Sequence, residues 1–108
     1  MFIAYSDMQL VTIENIEIGF SKSNIPYIAI ITKVLNSSSV DSIRARYNFS
    51  KRDKEFAYNE LLNLLDYYDI KLNRKNILES LNQLIGKNVY LLRVPEYENK
   101  YQVFKDYN

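Results

Sequence analysis

The apolar positions of this chain follow a strand-like period, then a helical one, then a strand-like one again. From Gln9 to Ile18 apolar and β-branched residues partly alternate, with Val11 and Ile13 on one parity and Leu10, Ile16 and Ile18 on the other, which predicts a first strand. Tyr27 to Leu35 (YIAIITKVL) is richer still and predicts a second, with Pro26 at its entrance, where a missing amide donor does little harm. Gly19 to Pro26, built of Gly, Ser, Asn and Pro, reads as an exposed loop holding Phe20 and Lys22. The polar run Asn36-Ser37-Ser38-Ser39 reads as a turn. Beyond it, Ser42 to Phe49 alternates cleanly: Ile43, Ala45, Tyr47 and Phe49 share one face, and Ser42, Arg44, Arg46 and Asn48 share the other. That third strand has one aromatic-apolar face and one basic-polar face.

Phe56, Leu61, Leu64, Leu65 and Tyr68 then recur at helical spacing, predicting a helix from about Asp53 to Tyr68 with Asp53 as its cap. A short connection, Asp69 to Asn73, leads to a second helical stretch. Its expected buried stripe is Ile77, Leu78, Leu81, Leu84 and Ile85, with Asn73 capping the start and Gly86 ending it in a left-handed conformation. Asn88 to Val94 predicts a fourth strand stopped by Pro95, and Tyr101 to Phe104 a fifth, with the polar loop Glu96 to Lys100 between them. The order is βββ-αα-ββ.

At 108 residues with two Gly and two Pro, the chain reads as a single domain, residues 1–108. Its expected fold is mainly β with a helical insertion (α+β), in the strand order of the five-stranded oligonucleotide/oligosaccharide-binding (OB) barrel, a partly open Greek-key sheet. On that fold strands two and three form the ligand face, and the loops joining strands one and two and strands four and five flank it. With no Cys and no His, thiolate and imidazole nucleophiles, general bases and metal ligands are excluded, so neither an enzyme nor a cofactor is expected. The opening MFIAYSDMQL has no basic region followed by an apolar run of leader type, which predicts a cytoplasmic protein with no membrane partner.

The formal net charge is only +1, yet charge is segregated. Lys22 to Lys54 carries seven bases against Asp41 and Asp53, whereas Glu55 to Ile70 carries four acids and no base. The basic block therefore falls on the expected ligand strands. Lys22, Lys33, Arg44, Arg46 and Lys100 are candidates for phosphate contact, and Phe20, Tyr27, Tyr47 and Tyr97 for base stacking. The arginines rank first, since a planar guanidinium both grips phosphate and stacks on bases. Tyr47 alternates with the apolar residues of its strand, so it shares a face with the arginines only if a bulge intervenes.

The chain also resembles a family of single-stranded-DNA-binding-like proteins encoded by phages. The likeness rests on Phe20-Ser21-Lys22-Ser23-Asn24-Ile25-Pro26 before an apolar strand ending in Lys33-Val34-Leu35, on Leu61-Leu62-Asn63-Leu64-Leu65 in the helix, on Leu84-Ile85-Gly86-Lys87-Asn88-Val89 opening the fourth strand, and on Asn99-Lys100. The serine turn replaces a Gly often found in that family. The resemblance implies the barrel fold and sequence-tolerant binding of single strands, DNA rather than RNA, in replication or recombination in the host cytoplasm. Barrels of this kind often self-associate, so a homo-oligomer is expected.

Two other readings compete. The middle of the chain has the outline of a winged helix-turn-helix binding duplex DNA, with Arg74, Lys75, Asn76, Asn82 and Gln83 on its recognition helix. Ten tyrosines on a near-neutral chain equally suit a phage-encoded inhibitor of a host defence protein acting by protein contact, because Tyr supplies contact area at low entropic cost.

Overall fold

The computed structural model describes residues 8–35, 42–93 and 102–105. It is mainly antiparallel β with two helices. The main sheet contains β1 (Met8–Phe20), β2 (Pro26–Val34), β3 (Ser42–Asn48) and β4 (Asn88–Arg93), and a short β5 (Gln102–Lys105) runs antiparallel to β4. The spatial order is β3-β2-β1-β4-β5, so β4 returns beside β1 after a long connection, as in a Greek key. That connection carries α1 (Lys54–Asp66) and α2 (Ile77–Asn82). β1 is shared: Met8–Thr12 pairs with β4, and Val11–Phe20 pairs with β2, which curls the sheet into a half-barrel. The predicted turn at Asn36–Ser39 and the loop from Glu96 to Lys100 lie outside the described residues.

A bulge between Ile13 and Asn15 accounts for the mixed parity of β1. An extra residue in one strand resets which side chains face inward, so Val11, Ile13 and Ile16 all reach the core although they do not alternate strictly in sequence. The second half of the strand then pairs in the order Ile16↔Ile30↔Ala45 and Ile18↔Ile28↔Tyr47 on the inner face. At the bulge Ile13 accepts from the Gly86 N–H at 2.7 Å and donates to the Lys87 carbonyl at 2.9 Å. Gly86 makes that turn at φ 90°, the left-handed conformation the sequence anticipates for it, but it does not end α2, which has already stopped at Asn82 with Gln83 as its C-cap.

The inner face packs Ile30, Ala45, Val89 and Leu91 against Leu61, Leu64 and Leu65 of α1, with Leu81 and Leu84 closing the far side. Thr32 is fully buried in this face and donates its hydroxyl to the Ile43 carbonyl at 2.9 Å, which satisfies it. α1 touches both β3 and β5.

Three local expectations change. Asp53 caps α1 without a side-chain hydrogen bond to the helix; Ser50 does that work one turn earlier, its hydroxyl accepting from the Asp53 N–H at 3.1 Å. α2 is capped by Asn76, whose side chain accepts from the Glu79 N–H at 3.1 Å, while Asn73 turns back on the Lys75 N–H. The buried stripe of α2 also narrows to Ser80 and Leu81, with Leu84 just beyond it, leaving Ile77, Leu78 and Ile85 each about 40 % exposed. A six-residue helix has room for one packed corner rather than a full stripe. That corner is tied down by Ser80, whose hydroxyl accepts from the Asn73 N–H at 2.7 Å and donates to the Lys71 carbonyl.

Candidate nucleic-acid interface

The alternation of β3 sends Ala45 and Tyr47 inward and leaves Arg44, Arg46 and Asn48 exposed. Register then decides their neighbours. Across β2, Arg44 pairs with Ile31, Arg46 with Ala29 and Asn48 with Tyr27; across β1 those same residues meet Asn15, Glu17 and Gly19. The outer face of the sheet thus gathers two arginines, a tyrosine and a carboxylate from three strands.

Tyr27 is the centre of this cluster. The Arg46 guanidinium carbon lies 3.9 Å from its ring centroid and the Arg44 carbon 5.5 Å, both within cation–π range. Arg46 is also held by Asn48, to whose side-chain oxygen its Nε donates at 3.0 Å. Arg44 donates to Glu17 at 2.8 Å and to the Tyr27 hydroxyl at 3.4 Å. Among the described residues Arg46 forms no ion pair, so its charge is uncompensated while that of Arg44 is balanced by Glu17. The ring can lie across the neighbouring strand because residue 19 is Gly: a Cβ there would stand 2.8 Å from the Tyr27 hydroxyl oxygen. Beneath the long side chains, Ala29 is fully buried although it lies on the outer face.

Lys33, exposed, continues the outer face along β2, opposite Thr12 and Ser42. At the other end Lys22 is exposed in the turn joining β1 to β2. That turn is fixed by Ser21, which bonds the Ile25 and Asn24 amides, and by Asn24 at φ 65°. Tyr27 to Lys33 spans about 20 Å of extended strand. Arg46, Arg44 and Lys33 therefore form a cationic track along β2 and β3 that contains Tyr27 and Glu17, with Lys22 in the turn beyond its end.

The remaining candidates are not brought to this track. Tyr47 is 3 % exposed in the core and offers no ring face for stacking; burial holds its hydroxyl well above the usual phenol range, a shift that Glu60 and Tyr67 reinforce. Phe20 ends β1 instead of sitting in the loop, and it is 68 % exposed. Its parity is that of Ile16 and Ile18, opposite to Gly19 and Tyr27, so it extends the apolar end of the inner face. Tyr97 and Lys100 lie outside the described residues. Conversely, sequence reasoning passed over Glu17, Gly19 and Asn48. Only Asn48 left a signal, as the last residue on the polar parity of β3.

A second feature lies on the inner side of the sheet, between it and the helices. Ile28, Phe49, Tyr58, Leu62, Leu72 and Ile77 are among the residues lining an apolar groove open to solvent. The exposed Ile77 of α2 is one wall of it. α2 is under two turns long, and Arg74, Lys75 and Asn76 precede it, so those residues do not form a recognition helix. No helix among the described residues is long and apolar enough to cross a membrane.

Compared with known proteins, the chain matches no family model, and no curated protein matches it either.

Proposed function

We propose that the protein binds single-stranded nucleic acid in a sequence-tolerant way, with the outer face of β2 and β3 as the binding surface of a five-stranded OB-type barrel. The observation that carries this reading is the Arg46 guanidinium stacked at 3.9 Å on Tyr27, exposed and without a carboxylate partner among the described residues. Tracking a single strand needs cations for the phosphates and flat groups for the bases, and this stack supplies both. Support from the fold is the order β4-β1-β2-β3 with the helices inserted between β3 and β4. In the proposed barrel the cluster falls on the two strands that carry ligand in OB folds. The likeness to phage single-stranded-DNA-binding-like proteins points the same way, with DNA ahead of RNA and a role in replication or recombination.

The test is a titration of a labelled single strand of about 30 nucleotides, and of the matching duplex, at two salt concentrations. Saturable binding of the single strand alone, weakening with salt, is the expected result. Arg44→Ala combined with Arg46→Ala weakens it by at least about fivefold at about 0.1 M salt, the loss of the phosphate contact of the uncompensated Arg46, with Arg44 already balanced by Glu17. Equal binding of duplex, or an unchanged double variant, overturns the proposed surface.

A second reading has its own observation. The apolar groove beside α1 and α2, rimmed by the exposed Tyr58 and Ile77, is the kind of surface that contacts a protein. On that reading the protein blocks a host defence factor by contact, and neither nucleic acid binds at micromolar concentration.

A further inference from the structure

A carboxylate at the centre of a cationic track calls for a reason. Glu17 lies opposite Ala29, and Ala29 lies opposite Arg46, so acid and base face each other across one methyl group. Its Oε2 accepts from Arg44 at 2.8 Å, and the side chain is 47 % exposed. Its other oxygen, Oε1, has no partner among the described residues. Arg44 holds the carboxylate beside the Tyr27 ring, where a base stacked on that platform would present its edge. A carboxylate only accepts hydrogen bonds. It therefore suits a base edge carrying an exocyclic amino group, such as N4 of cytosine, and disfavours the carbonyl of thymine at the equivalent place. It also repels phosphate, which favours a strand laid with its bases toward the sheet and its backbone toward Arg46 and the lysines.

We infer that Glu17 is a base-reading residue, which tilts an otherwise sequence-tolerant surface toward amino-bearing pyrimidines by accepting from the cytosine amino group. This rests on the single-strand reading above and deepens it. The experiment measures Kd for labelled dC and dT homopolymers of about 12 nucleotides with the wild-type protein, Glu17→Gln and Arg46→Ala. Stacking and backbone flexibility set the absolute ratio of the two affinities, so the informative quantity is its change. In Glu17→Gln, whose amide both donates and accepts, the dT oligomer binds more tightly because a negative charge is gone. The preference for dC relative to dT falls about fivefold or more, the lower end of the discrimination at one base, because the amide serves the thymine carbonyl as well as the cytosine amino group.

If both oligomers tighten by the same factor, Glu17 is only an electrostatic brake and the inference is overturned. It is equally overturned if both weaken together, which would make Glu17 a positioning residue for Arg44, or if neither changes. Failure of the underlying reading looks different: the wild-type protein binds neither oligomer, or Arg46→Ala leaves both affinities untouched.

Discussion

Replacing Arg46 separates charge from shape at the proposed surface. Its guanidinium sits 3.9 Å over Tyr27, close to contact, is bonded to Asn48, and has no ion pair among the described residues. One phosphate contact on a single strand contributes about 0.7 to the slope of log K against log salt, so at about 0.1 M its loss costs about fivefold, or about 1 kcal/mol. Arg46→Ala loses this and the flat stacking surface together. Arg46→Lys keeps the charge and loses the plane, because an ammonium is a compact point charge. The lysine variant should retain the wild-type salt slope while binding more weakly, because an ammonium can still sit over the Tyr27 ring but offers no plane on which a base stacks. Folding is a fair control, since Arg46→Ala removes from the free protein only exposed contacts, the stack on Tyr27 and the hydrogen bond to Asn48, and the melting temperature should fall by about 4–8 °C for each kcal/mol so lost. The assay is fluorescence anisotropy of a labelled single strand across a salt series, with thermal melts run in parallel. An alanine variant with an unchanged slope, or a lysine variant that loses as much slope as alanine, would refute the reasoning.

Two further outcomes follow from particular contacts. Gly19→Ala places a Cβ 2.8 Å from the Tyr27 hydroxyl oxygen and 3.0 Å from Cζ, so the ring must shift off the strand; single-strand affinity should drop by up to the 1–3 kcal/mol of one stacked base, and unchanged affinity would show that the ring's position is immaterial. Burial raises the carboxyl of Glu60 above its ordinary value of 4.5, so the folded state binds more protons than the unfolded one from about pH 4.5 up to that raised value, and stability falls as pH climbs through this window. Glu60→Gln should therefore raise the melting temperature at neutral pH and leave it nearly unchanged below pH 4, which melts at the two pH values would check; a gain of equal size at both would assign it to something other than the carboxylate's ionisation.

The apolar groove bears on α2 as well. Ile77 and Leu78 sit at helical spacing with Leu81, and on a longer helix they would all be covered. Here the helix stops after Asn82 and packs through Ser80 and Leu81, so Ile77 becomes a groove wall. Periodicity identified the apolar residues of this segment but not their burial, because burial depends on how much of the helix the sheet can reach.

What the sequence determined by itself was local. The strict alternation of Ser42 to Asn48 decided which residues of β3 point outward, since side-chain direction in a strand has a period of two whatever the partner. Gly86 marked the stop before β4 because few other residues adopt a positive φ cheaply. The order of strands and helices was likewise legible, as each period is a property of a few neighbouring residues. Tertiary structure alone decided what those residues meet. Arg44 and Glu17 are 27 positions apart and touch only through the shared register of three strands, and Tyr27 reaches Arg46 by the same pairing. Register is fixed by the summed burial of whole strands against one another, and the bulge in β1 shifts it midway. Ala29 is buried on the polar face for the same reason: its cover comes from side chains on β1 and β3, which no pattern within β2 contains.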